Sequence, residues 1–141
     1  MPTAWWPSMI RNLRKFARLG WPERRLLAEA WACLCAARVA LWLLPFPRLW
    51  TPPRLSAGCR FTPGRIAWAI GAAAPFVPSS TCLVRALAAR RLFARYGYPA
   101  TLRIGVARPA ESAFAAHAWL EHEGRVLPGT TSGPFTPILS L

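Results

Sequence analysis

Aspartate and glutamine are missing from this 141-residue chain, and asparagine and lysine occur once each, at Asn12 and Lys15. Any carboxylate that does chemistry must therefore be Glu23, Glu29, Glu111, Glu121 or Glu123, and no glutamine amide can donate to a developing oxyanion. The four cysteines, Cys33, Cys35, Cys59 and Cys82, show neither CxxC spacing nor the density of a secreted disulfide scaffold, which fits a reducing compartment. Histidine is limited to His117 and His122, with no cluster of Cys/His ligands, so neither a metal nor another cofactor is expected. The opening MPTAWWPSM lacks the charge, the long apolar run and the cleavage site of a secretory signal, and a cytoplasmic location is the expectation.

Present in excess are apolar residues (54%), eight tryptophans and fifteen prolines, in a length that suits one compact unit. That composition belongs to a folded chain with broken segments, not to a disordered one. The net charge of +13, carried by arginine except at Lys15, attracts polyanions, anionic lipid or an acidic peptide. A coding sequence of high GC content gives the same bias. No helix-turn-helix, zinc finger or RNA-binding signature accompanies the arginines, and nucleic acid is not the expected partner.

From Ile10 to Leu19 cations recur three or four apart opposite an apolar stripe, the pattern of a short basic amphipathic helix. A long helix is predicted over 23–44, opened by Pro22 and Glu23 and stopped by Pro45 and Pro47. Glu29 and Arg38 interrupt its apolar run on nearly opposite faces, which favours a buried scaffold helix over a membrane span. Residues 45–63 read as an irregular proline-rich connector and 66–74 as a short helix. The stretch SSTCLVRALAARRLFARYG, 79–97, is predicted as an amphipathic helix with Ser79 or Ser80 as its cap, Cys82 in its first turn and Gly97 as its stop. The helix dipole and Arg85 there favour thiolate over thiol, although a buried core cysteine is the competing reading. Beyond Gly97 the period becomes that of strands: 101–106, 114–122 and 125–127, the last two joined by a Glu123-Gly124 turn. The fold class expected is α+β, with the Cys82 helix packed on an antiparallel meander.

A reactive thiol needs a proton acceptor that later serves as donor, and His117 on FAAHAWLEHEG is the candidate, because His122 has the opposite strand parity. The segments PSSTCLVRAL (78–87), GYPATLRIGV (97–106) and AHAWLE (116–121) closely resemble the transglutaminase-like leader peptidases of lasso-peptide biosynthesis. The Leu/Ala-rich helix ending in LLPF also resembles the N-terminal part of that family, in the form where leader recognition resides in a separate small protein. The resemblance implies a transglutaminase-like, papain-like core over 65–141, with 1–64 as a helical region and connector packed on it. It implies a thiol peptidase that cuts the leader from a ribosomally made precursor and frees the core N-terminus for an ATP-dependent macrolactam cyclase. By match, Cys82 is the nucleophile and His117 the base; the Cys82 backbone N–H, at a helix start, is the natural first oxyanion donor.

The family's third member, an aspartate, has no counterpart here. A two-residue turn at Glu123-Gly124 sets Thr130 opposite His117, and Thr130, Thr131 or a backbone carbonyl becomes the orienting group. Glu121 shares the His117 face but stands about 13 Å along the strand. Ser79, Ser80 and Trp119 are further candidate oxyanion donors. The missing acid also supports an alternative: a weakly active or inactive docking protein for precursor, leader-binding protein and cyclase, with peripheral membrane contact.

Overall fold

Glycine at position 20 and glutamate three residues later open the first long helix: the Gly20 N–H donates to Glu23 Oε2 at 2.9 Å, meeting one of the donors a helix start leaves free. The computed structural model describes residues 14–49, 51–58, 60–107, 115–127 and 136–140. Residues 14–17 make one helical turn, which ends in a turn at 18–19 ahead of Gly20; residues 10–13 of the predicted basic helix lie outside the described residues. Helix α1, Trp21–Leu43, ends where Leu44 turns extended ahead of Pro45. It is long and apolar enough to cross a membrane by length and composition, with a mean hydropathy of 1.6.

The expectation of a buried scaffold helix holds for one stripe of α1 only. Leu26, Leu27, Ala30 and Leu34 are buried, whereas Trp31, Val39, Trp42 and Leu43 face solvent. The connector is also more regular than its prolines suggest. Helix α2, Phe46–Leu49, is a single turn within it, and the Ser56 N–H donates to Ala94 O at 2.9 Å, tying the connector to a later helix.

Helix α3, Pro63–Ala73, starts earlier than its apolar period predicts, because the Thr62 hydroxyl caps Arg65 N at 3.3 Å and Pro63 opens the first turn. A 3₁₀ turn, Ala74–Phe76, leads through Ser79, which sits at φ 54°, into helix α4, Cys82–Arg95. Gly97 supplies the expected stop at φ 82°, with its N–H on Ala94 O at 3.0 Å.

Helix α1 packs against α3 and α4, and α4 lies on the sheet, chiefly on the strand Ala115–His122. Strands β1 (Thr101–Ala107), β2 (Ala115–His122), β3 (Arg125–Val126) and β4 (Thr136–Ser140) pair antiparallel in the order β3-β2-β1-β4. The α+β arrangement is the one the sequence predicts, with one strand more. Leu26 and Leu34 of α1, Ile66 of α3, Val84, Leu92 and Phe93 of α4, and Leu102 and Leu120 of the sheet are fully buried in one core. Glu29 links α1 to the far end of α4, accepting Tyr96 Oη–H at 2.6 Å, Arg25 Nε–H at 3.1 Å and pairing with Arg95 Nε at 3.4 Å.

Candidate active site

Threonine at position 81, not either serine, caps α4: its hydroxyl accepts Val84 N–H at 3.4 Å from an extended backbone. The serines are otherwise engaged. Ser79 turns the chain at positive φ, and Ser80 Oγ accepts from Arg85 Nε at 3.3 Å, which folds that guanidinium back along the helix start. Cys82 is thus the first residue of the helix, half-buried and with a free thiol. The N–H groups of Cys82 and Leu83 have no acceptor among the described residues, so two main-chain donors remain at the helix start.

Cys82 lies on the helical stripe that continues through Ala86, Ala89 and Phe93, all three buried. Small residues along this stripe let α4 approach β2 closely, and Phe93 meets the His122 ring edge-on at 5.7 Å between centroids. His122 also packs against Tyr98, and its Nδ1 lies 2.6 Å from Pro99 O. That makes His122 a structural histidine, and it is His122, not His117, whose strand parity faces α4, the reverse of the expectation.

The Phe93–His122 contact sets the level of the other end. Strand β1 returns along α4 and β2 reverses again, so α4 and β2 run in the same direction. Going back eleven residues at 1.5 Å each on the helix reaches Cys82, and going back five at 3.3 Å on the strand reaches His117, both steps about 16 Å. Cys82 and His117 therefore belong to the same end of the layered unit.

Alternation decides the face. His117 stands across from Gly105, on the side of β2 that also carries Trp119 and Glu121, while Ala118, Leu120 and His122 look towards α4. The His117 side chain therefore lies on the sheet face away from α4, stacked beside Trp119, and the structure does not bring it into contact with Cys82. Among the described residues β3 pairs only with Glu121 and His122, so it does not cover the edge of β2 at the level of His117. Ala116, on the α4 side, is exposed, which marks where the helix ceases to cover the strand.

Glu121 does not serve as a direct partner of the imidazole. Its carboxylate accepts Arg103 Nε–H at 2.6 Å and Trp119 Nε1–H at 3.0 Å, and the indole bond, with the Arg103 guanidinium, holds it below the usual carboxylate range. Trp119 in turn stacks alongside His117, with ring centroids 6.5 Å apart and planes 20° apart. The acid steadies the indole, and the indole lies beside the imidazole. This engagement removes the Trp119 N–H as an oxyanion donor. Sequence reasoning missed both the Thr81 cap and this row; Arg103 stands across from Trp119, two register positions from Glu121, but the β1–β2 register depends on the connection at 108–114 and no local pattern reveals it. The pairings Glu121 with Val126 and His122 with Arg125 match the register predicted from the turn, whose Glu123 and Gly124 have φ 50° and 74°. Thr130, Thr131 and Glu111 lie outside the described residues. Among the described residues no group of three His, Cys, Asp or Glu side chains could hold a metal.

A family model described as the transglutaminase-like superfamily matches residues 31–140. No curated protein and no solved structure matches the chain.

Proposed function

Because the chain belongs to the transglutaminase-like superfamily, which includes cysteine peptidases, we propose that it is a thiol peptidase that removes the leader from a ribosomally made lasso-peptide precursor. The observation that supports the reading is Cys82 as first residue of a capped helix, with N–H donors beside it that have no acceptor among the described residues. The motifs around Cys82 and His117 supply the substrate class. A separate leader-recognition protein presents the precursor, and an ATP-dependent macrolactam cyclase takes the freed core N-terminus. The site works in the cytoplasm.

His117 takes the proton from the Cys82 thiol as Sγ attacks the scissile carbonyl carbon, and the oxyanion rests on the Cys82 N–H. Protonated His117 then gives its proton to the departing amine, which leaves as the core peptide, and the leader stays on Sγ as a thioester. Water, deprotonated by His117, attacks that thioester; the leader departs as a carboxylic acid and the proton returns to sulfur. With no aspartate in the chain, the imidazole is oriented by other means, and the Trp119 ring held by Glu121 supports a stacked orientation.

The test is mass-spectrometric detection of leader cleavage in the presence of the leader-binding protein. Cys82→Ala abolishes cleavage and His117→Ala costs nearly as much, because the two groups act as one unit. Unchanged cleavage by Cys82→Ala rules the mechanism out. The exposed Trp31, Val39 and Trp42 on α1 favour a second reading, that of a docking protein for the same partners, which predicts retention of partners without cleavage by the wild-type chain.

A further inference from the structure

On the side of α4 away from the sheet, a cavity of about 570 Å³ opens between the C-terminal half of α1, the connector and α4. Arg90, Arg91 and Arg95 of α4 line one wall, and Arg48 and Arg54 of the connector line another. The α1 wall, from Ala36 to Leu44, is apolar. The cavity shares no residue with the Cys82 and His117 pair.

Arg90 decides what the cavity is for. Its side chain is only 6% exposed, yet it has no hydrogen bond or ion pair with any described residue. A buried guanidinium without a counter-charge is costly, and desolvation alone pulls its pKa below the usual arginine value. The chain has little with which to neutralise these cations. Glu23 is taken by Arg65, Glu121 by Arg103, and Glu29 is shared between Arg25 and Arg95, while Glu123 is exposed at the β2–β3 turn. Among the described residues, Arg48, Arg54, Arg90 and Arg91 have no carboxylate partner. The Cys33 thiol on the cavity's rim is pushed up by burial and brings no negative charge.

We propose that this cavity binds a phosphate group carried on an apolar body. Guanidinium forks arriving from two walls suit a group with several acceptor oxygens and up to two charges, whereas one carboxylate leaves most of them unmatched. The apolar α1 wall accommodates the rest of the ligand, and Leu44 at its end adjoins the exposed Trp42 and Leu43. A phospholipid headgroup and a soluble phosphate ester share this chemistry.

The experiment uses the full chain with two probes: pyrophosphate, followed by calorimetry and thermal shift, and phosphatidylcholine vesicles with and without phosphatidylglycerol, followed by sedimentation. Wild type binds at least one probe at moderate salt. Binding to the phosphatidylglycerol-containing vesicles alone assigns a lipid source, and binding of pyrophosphate alone a soluble one. Arg90→Met and Arg54→Gln each weaken binding by about tenfold or more, the scale of a lost charge-assisted hydrogen bond. Arg54 is exposed, so its variant reports on the site even where Arg90→Met perturbs folding. Arg125→Gln, an equal charge change on exposed β3, alters binding by about twofold at most. The proposal is overturned if neither probe binds, or if Arg125→Gln weakens binding as much as the cavity variants do.

Discussion

Replacing Tyr96 by phenylalanine tests the joint between α1 and the end of α4. Tyr96 is buried, and its hydroxyl donates to Glu29 Oε2 at 2.6 Å. Burial and that acceptor push the phenol up to about 12 from its ordinary value near 10, with Arg95 and Arg25 opposing. A group whose proton is held more tightly in the folded state adds stability below its unfolded pKa and loses it as pH rises through the folded one. The stability at stake is fully present below about pH 10 and disappears by about pH 12. Two units correspond to about 2.7 kcal/mol. The flanking Arg25 and Arg95 side chains are 58% exposed, so solvent screening brings this to about 1–2 kcal/mol. Urea unfolding of wild type and Tyr96→Phe gives the assay. The wild-type advantage of about 1–2 kcal/mol at pH 8 narrows steadily between pH 10 and 12, and the difference between the proteins cancels cysteine and arginine titration. An advantage that stays constant across that interval, or that is absent at pH 8, refutes the reasoning.

Thr81→Ala removes the cap of α4 and costs about 1 kcal/mol in urea unfolding, while Thr81→Ser retains most of it. Phe93→Ala empties the place where α4 meets His122 and Tyr98, and costs about 3–5 kcal/mol by the same assay. Glu121→Gln keeps an acceptor for the Trp119 indole but loses the ion pair with Arg103, costing about 0.5–1 kcal/mol at pH 7. Because the Glu121 pKa is depressed, that difference is present above about pH 4 and closes as acidification passes through the folded value.

The parts of this fold that sequence reveals are those that local chemistry determines. Helix α4 shows its period and its glycine stop, and the Glu123-Gly124 turn carries enough conformational information to set the β2–β3 register. Strand β4 shows nothing comparable. It pairs with β1, far away in sequence, across an irregularity at Ile104 and Gly105, and contains Pro137, which is tolerated because β4 lies at the edge of the sheet. The choice of Thr81 over two adjacent serines follows from the backbone at Ser79 and from Arg85 engaging Ser80, both tertiary facts. Cys82 and His117 are legible as residue types in suggestive places. Their common level depends on Phe93 meeting His122, which no spacing in the chain announces.

The central claim is that the Cys82 thiol and the His117 imidazole act on one another. Peptide-resolved alkylation by iodoacetamide at neutral pH measures this without precursor or partner proteins. The account predicts that His117→Ala slows alkylation at Cys82 by on the order of tenfold, while rates at Cys33 and Cys35 stay as in wild type. Equal Cys82 rates in the two proteins contradict it.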